Sequence, residues 1–165
     1  MDKRIDKINY YLDIAETVAS RSTCLRKKYG TVIVNKDQIV STGYNGAPRG
    51  RKNCCDIGIC TKKKMFPEKR HGGYDACRSV HSEQNAIISA ARSEMIDGTL
   101  YLVGYRTEDP NPYEEGAAPC LMCRKLIINS GIRNVIVRVN KKEFKEFLVD
   151  EWIKNDEFLE GKTSY

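Results

Sequence analysis

Two short motifs contain the side chains of this chain that are best suited to bind a metal ion. One is His81-Ser82-Glu83, and the other is Pro119-Cys120-Leu121-Met122-Cys123. Cysteines three residues apart lie on the same face of a helix. In the first helical turn, the helix dipole and the free N–H groups favour the thiolate form that binds zinc. Because redox pairs and structural zinc sites use the same spacing, the cysteine motif alone is ambiguous.

Adding the histidine motif makes a catalytic metal site the better interpretation. His81, Cys120 and Cys123 supply three ligands, which is the usual number in catalytic zinc sites, and leave one position for water. The metal lowers the pKa of such a water toward neutrality. Glu83 is then placed to act as acid and base without binding the metal. Taken singly, Glu83 could be an ordinary first-turn acid and His81 a hydrogen-bonded core residue.

The composition predicts a single folded domain over residues 1–165. The chain has 165 residues, of which 41% are hydrophobic and 30% are charged, as is ordinary for a globular domain. No apolar run approaches the roughly 20 residues that cross a membrane, and no signal-peptide core is visible near the N-terminus. We therefore expect a cytoplasmic protein without a membrane partner. Its seven cysteines then indicate metal binding or thiol chemistry rather than disulfides.

Positive charge is concentrated in the first half of the chain. Residues 1–80 contain 17 Lys and Arg against 8 Asp and Glu, whereas residues 81–165 contain 11 against 14. A basic half suits a phosphate-bearing ligand or a nucleic acid, although a solvated surface is the simpler explanation. We interpret the run Lys62-Lys63-Lys64 as a solvated loop.

Hydrophobic periodicity predicts the elements that must position the two motifs. The predicted helices cover 3–20, 80–92, 119–129 and a terminal segment from 150, and the predicted strands cover 31–34, 38–42, 99–103, 135–139 and 144–149. Residues 43–76 predict a long irregular connection that a metal would keep ordered, and 105–118 predict a loop. A hairpin followed by strands that alternate with helices predicts an α/β layered domain.

Three longer stretches surround the motifs: STCLRKKYGTVIVNKDQIVSTGYNGAPRG, HSEQNAIISAAR and APCLMCRKLIINSGIRNVIV. With H-x-E followed by P-C-x-x-C, the signature of zinc-dependent nucleobase deaminases, the chain resembles the deoxycytidylate (dCMP) deaminase family. The resemblance implies a three-layer α/β/α sandwich around a mixed five-stranded sheet, as in cytidine deaminases. It also implies hydrolysis of dCMP to dUMP and ammonia, which supplies dUMP for thymidylate synthesis, with Glu83 moving the protons.

The resemblance further implies residues that bind the substrate. Tyr44-Asn45-Gly46 alone predicts a turn, but in this family it forms a nucleotide-binding edge in which Asn45 contacts the sugar. Arg49 is a candidate contact for phosphate, with a surface arginine as the alternative, and Ala118 is a further candidate contact.

Two departures from the family pattern concern the wall of the substrate site. The first is the acidic insertion at 105–118, which lies beside the helix that carries the cysteine pair. The second is the absence of an aromatic residue directly after the strand at 135–139. We therefore consider Phe66, Tyr105 and Tyr113 as side chains that could cover the substrate.

Some family members bind a second, structural zinc, which here would stabilise residues 43–78. Cys24 and Cys54 match its ligands by position, and the preferred set adds His71 and Cys77. Cys55 and Cys60 stay open as candidates, and buried free cysteines are the alternative explanation.

Regulation and assembly are also expectations from the resemblance. It implies a homo-oligomer, with a hexamer favoured, that dCTP activates and dTTP inhibits, with Mg²⁺ expected only alongside these nucleotides. Arg92 is the candidate allosteric residue, and a surface helix arginine is the alternative.

Three other functions compete with dCMP deamination. One is deamination of a different cytosine nucleoside or nucleotide. Another is polynucleotide editing, which the absence of a recognisable RNA-binding motif disfavours. The third is a non-catalytic, zinc-stabilised interaction protein on the same scaffold, which Glu83 disfavours because no structural zinc site requires it.

Overall fold

The structure of the chain is a computed structural model that describes residues 4–68, 73–109, 113, 118–156 and 159. In chain order the elements are α1 (Lys7–Ala19), β1 (Lys27–Asn35), β2 (Gln38–Tyr44), α2 (Cys54–Ile57), α3 (Thr61–Met65), a 3-10 turn (Tyr74–Ala76), α4 (Ser82–Ile88), α5 (Arg92–Met95), β3 (Thr99–Arg106), α6 (Leu121–Ser130), β4 (Asn134–Arg138), β5 (Phe144–Leu148) and α7 (Val149–Lys154). Within these described residues, no helix combines the length and the apolar character needed to cross a membrane.

The five strands form one mixed sheet in the order β2-β1-β3-β4-β5. The pairs β1–β2, β1–β3 and β4–β5 are antiparallel, and β3–β4 is parallel. The β1–β2 hairpin turns at Lys36 and Asp37, whose φ angles of 48° and 63° are the left-handed values that a tight two-residue hairpin turn requires. The predicted hairpin and mixed sheet are confirmed.

Helices cover both faces of the sheet, because successive strand residues point to opposite sides. Val32 and Val34 pack with Leu12 of α1, whereas Ile33 packs with Ala86 of α4 and with residues of α6 and α7. Each of the central strands β1, β3 and β4 divides its apolar residues between the two cores in this way. The three-layer α/β/α sandwich is therefore confirmed.

Two glycines allow helices to approach the sheet closely. A Cβ atom on Gly30 would lie 2.0 Å from the carbonyl oxygen of Ala15 in α1. A Cβ atom on Gly43 would lie 2.3 Å from the carbonyl oxygen of Ser82 and 2.4 Å from the backbone nitrogen of Ala86. The first turn of α4, which carries part of the predicted site, is therefore held directly against β2.

The prediction of one helix over 80–92 was wrong. Helix α4 ends at Ile88 and α5 begins at Arg92. The backbone of Ala91 is extended, and its N–H donates a hydrogen bond of 3.1 Å to Glu94 Oε2. This bond caps a new helix at a point where the apolar pattern alone continues unbroken.

The connection at 43–76 is less irregular than its composition predicts. It contains α2 and α3, two helices of about one turn, and α2 ends at Gly58 with a φ of 66°. Helices this short contain too few residues for helical periodicity to be recognised in the sequence. The part of this segment around His71 lies outside the described residues.

Candidate active site

The starts of two helices bring the motif side chains together. His81 directly precedes α4 and Cys120 directly precedes α6, and both have extended backbone angles. The His81 N–H donates to Gln84 Oε1 at 2.9 Å, which fixes the entry of the chain into α4. As a result, His81 Nδ1 lies 3.5 Å from Cys120 Sγ and 3.4 Å from Cys123 Sγ.

The donor atoms of this cluster fit a zinc ion. Among the described residues, His81, Cys120 and Cys123 are the single group of three potential ligands whose donor atoms all lie within 4.8 Å of one another. One imidazole nitrogen and two sulfurs are donors that zinc prefers, and three protein ligands are typical of catalytic sites. The sequence prediction that these three side chains meet agrees with this geometry.

The pKa values of the two cysteines shift in opposite directions. Hydrogen bonds from Cys123 and His81 lower the pKa of Cys120 to about 4. The pKa of Cys123 is raised, because it donates its proton to Cys120 and is buried near that sulfur and Glu83. A bound cation would allow both sulfurs to be thiolates, since metal binding displaces their protons.

Glu83 lies in the same cavity, in the first turn of α4. Its side chain is buried, and its Oε2 accepts a 3.0 Å hydrogen bond from Ser82 Oγ. Burial raises the pKa of the Glu83 carboxyl group. A buried carboxyl group with a raised pKa holds a proton more readily than an exposed one, which suits a group that accepts and then returns a proton.

The cavity beside this cluster has a volume of about 230 Å³ and a basic wall. Of the residues that the structure describes, three cationic side chains line it: Arg26, Lys27 and Lys62. The expectation of a solvated lysine run was wrong for Lys62, which is 7% exposed, whereas Lys63 and Lys64 are exposed. Helix α3 turns Lys62 inward, and its periodicity could not be read from five residues.

An aromatic side chain that the sequence reasoning missed also lines the cavity. The Tyr74 ring meets the His81 ring edge-on, with ring centres 5.6 Å apart and an angle of 74°. Of the side chains considered for covering the substrate, Phe66 lies beside Gly73, and Tyr105 pairs with Tyr113 next to the α1 core. No sequence motif pointed to Tyr74, because it lies in the segment whose structure was predicted to be irregular.

The predicted substrate-binding residues are divided between the cavity wall and the surface. Asn45 and Ala118 line the cavity, and Arg49 is exposed. The Asn45 amide also braces β1, since it accepts from the Tyr29 N–H at 2.8 Å and donates to the Lys27 carbonyl oxygen at 2.9 Å. Tyr44 contributes a backbone contact, because its carbonyl oxygen accepts a 2.8 Å hydrogen bond from the Asn85 side-chain amide.

Three further cysteines line the cavity, and Cys54 lies close enough to them for their charges to act on its thiol. Cys24, Cys60 and Cys77 line it, and the Cys55 N–H donates to the Thr23 carbonyl oxygen at 3.2 Å, which joins the start of α2 to the Cys24 segment. Burial raises the pKa of Cys54, and the charges of Cys24, Cys77 and Cys60 raise it further. Of the remaining candidate ligands, Cys55 is exposed, and His71 lies outside the described residues.

Arg92, the candidate allosteric residue, lies at the start of α5 on the surface. Its Nε donates a 2.9 Å hydrogen bond to the carbonyl oxygen of Asn129 near the end of α6. This contact joins two helices on one face of the sheet and does not involve the cavity.

Comparisons with known proteins agree with this geometry. Residues 5–139 match the family model for the cytidine and deoxycytidylate deaminase zinc-binding region. The chain is 34% identical over 137 residues to the deoxycytidylate deaminase of Mycobacterium phage D29, covering 81% of this chain and 94% of that one. It is 30% identical over 142 residues to the deoxycytidylate deaminase of Saccharomyces cerevisiae, covering 83% of this chain and 40% of the yeast protein.

The fold agrees with the same comparisons. The structure of the apo dCMP deaminase from the cyanophage S-TIM5 superposes with a TM-score of 0.57 at 25% sequence identity, covering 82% of this chain and 85% of that chain.

Proposed function

This chain belongs to the cytidine and deoxycytidylate deaminase family, and on that premise we propose that it hydrolyses dCMP to dUMP and ammonia. The observation that carries the proposal is that Glu83 lines one cavity with His81 and Cys120, whose donor atoms cluster with that of Cys123. The phage D29 relative, which the chain spans over 94% of its length, is itself a deoxycytidylate deaminase.

In the proposed mechanism, the chain positions a water and moves its protons. His81, Cys120 and Cys123 would hold zinc, which when bound lowers the pKa of water and so makes it a nucleophile near neutral pH. The carboxylate of Glu83 accepts a proton from the water that attacks C4 of the cytosine. Glu83 delivers this proton to the ring nitrogen N3, takes a second proton from the hydroxyl group now bonded to C4, and delivers that proton to the leaving amine. The C4 carbonyl forms as the C4–N bond breaks, so that one water is consumed and one ammonia is released.

The cavity wall supports a substrate that carries phosphate. Among the described residues that line the cavity, Arg26, Lys27 and Lys62 are cationic and Glu83 is the one acidic residue, and a wall with this balance of charge attracts anions. We assign this basic wall to the 5′-phosphate, so that the exposed Arg49 is not required for it. The Asn45 amide carries two N–H groups, one of which bonds Lys27, and we assign the other to the sugar.

A second zinc is part of the proposal. We assign Cys24, Cys54 and Cys77 to it, because the resemblance matches the first two by position and because Cys24 and Cys77 line the same cavity. Either Cys60 or His71 completes the four ligands of a structural site. Among the described residues, the sulfurs of these cysteines do not all lie within 4.8 Å of one another, so metal binding would have to draw them together. Metal analysis of the wild-type protein should find two zinc ions per chain. Of the variants Cys60→Ala and His71→Ala, the one that removes the fourth ligand should contain one zinc ion per chain. A wild-type content near one zinc per chain would contradict the second site.

The proposed assembly is a hexamer that dCTP activates and dTTP inhibits, with Mg²⁺ bound alongside these nucleotides. Ile88, at the end of α4, is 82% exposed, and burial against another copy would remove this apolar side chain from water. A monomeric mass by light scattering at micromolar concentration would contradict the hexamer. If dCTP still activates Arg92→Ala and dTTP still inhibits it to the same extent as the wild-type protein, Arg92 has no part in this regulation.

A nucleotide panel tests the proposed reaction. Ammonia release is measured with dCMP, CMP, deoxycytidine and dCTP, for the wild-type protein and for Glu83→Gln. We expect the highest kcat/KM with dCMP and loss of turnover in the variant. Turnover of another cytosine compound in preference to dCMP would identify a different deaminase, and absence of turnover in the zinc-loaded wild-type protein would indicate a non-catalytic role.

A further inference from the structure

A chain of two hydroxyl groups connects the sheet to the carboxylate of Glu83. Thr31 Oγ1 in β1 donates a 2.8 Å hydrogen bond to Ser82 Oγ, and Ser82 Oγ donates a 3.0 Å hydrogen bond to Glu83 Oε2. Thr31 and Ser82 are 0% exposed and Glu83 is 5% exposed. The three groups therefore form a hydrogen-bonded chain that is closed to bulk water and ends at the acid–base residue.

The order of donors in this chain directs its last proton to Glu83. A hydroxyl group has one hydrogen to donate and two lone pairs that accept. Because Thr31 donates to one lone pair of Ser82, the hydrogen of Ser82 points away from Thr31 and toward the carboxylate. A buried hydroxyl without a partner is costly, so the chain favours the carboxylate orientation that satisfies both hydroxyl groups.

Glu83 needs such a restraint because its last torsion angle is soft. Rotation of a carboxyl group about the bond to its side chain has a broad energy profile rather than three sharp wells. Holding Oε2 fixes the plane of the group and leaves Oε1 in a defined position for proton transfer. We propose that Ser82 and Thr31 are positioning residues that hold the Glu83 carboxylate in its reactive orientation, an inference that rests on the proposed function.

The hydroxyl chain is not needed to hold α4 in place. The close approach of Gly43 to Ser82 and the bond from Asn85 Nδ2 to the Tyr44 carbonyl oxygen already fix this helix against β2. A further buried hydroxyl, Ser41 Oγ, donates at 2.7 Å to the carbonyl oxygen of Ala86 in the same helix. Ser41 therefore offers a matched control, since it joins the sheet to α4 through a contact that does not include Glu83.

Four substitutions and one double variant test the proposal, with kcat and KM for dCMP and the melting temperature measured for each. Ser82→Ala should lower kcat about tenfold, as expected for loss of one hydrogen bond to a charged group, with little change in KM. Thr31→Val, which keeps the shape and removes the hydroxyl, should lower kcat severalfold, and Thr31→Ser should retain it. Ser41→Ala should lower the melting temperature while retaining kcat.

The double variant Thr31→Val/Ser82→Ala separates positioning from independent structural effects. Its kcat should equal that of Ser82→Ala alone, because Thr31 acts through Ser82. Wild-type kcat in both single hydroxyl-deletion variants, or equal loss in Thr31→Ser and Thr31→Val, would overturn the inference while leaving the proposed function intact. Full activity of Glu83→Gln would instead overturn the proposed function. If Ser82→Ala fails to fold, the kcat values of Thr31→Val and Thr31→Ser still test whether the Thr31 hydroxyl group is required.

Discussion

The ammonium group of Lys62 lies 3.7 Å from the centre of the Tyr74 ring. Tyr74 in turn contacts His81, so a positive charge is held at the wall of the same cavity that contains the metal-binding cluster. Burial lowers the pKa of Lys62, because desolvation disfavours the charged form. A phosphate group in the cavity would restore a favourable environment for this charge.

Lys62→Gln should therefore weaken selection for the phosphorylated substrate. We expect KM for dCMP to rise about tenfold, the effect of losing one charge-assisted contact, with little change in the weak turnover of deoxycytidine. Lys63→Gln is the matched control, since it removes the same charge from the neighbouring exposed position. Steady-state kinetics with both substrates measures this, and an equal rise in KM for the two variants would show that only overall charge matters.

Removal of one sulfur from the metal-binding cluster should lower the zinc content. Cys123→Ala should lose one zinc per chain and all measurable turnover, because two remaining ligands bind zinc weakly. Cys55→Ala, at an exposed cysteine, should retain both properties. Zinc is measured by mass spectrometry on protein purified without added metal. Full zinc content in Cys123→Ala would place the metal elsewhere.

The ion pairs of Arg138 should matter for stability and not for catalysis. Arg138 is 3% exposed and bonds Asp13 at 2.6 Å and Glu16 at 3.3 Å, which joins β4 to α1 on the face of the sheet opposite α4 and α6. Arg138→Ala should lower the free energy of unfolding by about 2 kcal/mol. Asp13→Ala should lower the free energy of unfolding by less, because the Asp13 side chain is 52% exposed and exposed ion pairs add little to stability.

Chemical denaturation measures these two free energies, and kcat is measured at a temperature where both variants are folded. A fall in kcat for folded Arg138→Ala would show that the α1 face influences the site.

Gly43→Ala should damage the site through the backbone. The added Cβ would meet backbone atoms of Ser82 and Ala86 at 2.3 and 2.4 Å, which cannot move aside as a side chain can. We expect a loss of about 3 kcal/mol in the free energy of unfolding, together with a fall in kcat because α4 carries Glu83. Gly50→Ala is the control at a position where a Cβ meets nothing within 4 Å, although its φ of 82° adds modest strain.

The sheet and the cluster of His81, Cys120 and Cys123 could be predicted from the sequence because both have strong local signals. The consecutive β-branched residues Val32, Ile33 and Val34 mark a strand buried on both faces. His81 and the cysteine pair have a spacing and a position at helix starts that few structural roles require together.

The parts that the sequence did not predict depend on contacts between distant segments. Lys62 and Tyr74 acquire their roles only when α3 and the 3-10 turn fold against the cavity. Thr31 is indistinguishable from an ordinary strand residue until the structure places it 2.8 Å from Ser82. The break between α4 and α5 depends on one capping bond from Ala91 to Glu94, which competes with an apolar pattern that predicts a continuous helix.

The most direct test of the central claim is a crystal structure of the Glu83→Gln variant with dCMP, with diffraction recorded at the zinc absorption edge. We predict an anomalous peak from a zinc ion within bonding distance of His81 Nδ1 and of the sulfurs of Cys120 and Cys123. Unreacted dCMP should occupy the adjacent cavity. Absence of an anomalous peak at these three atoms, or dCMP bound at a different surface, would contradict the proposed site.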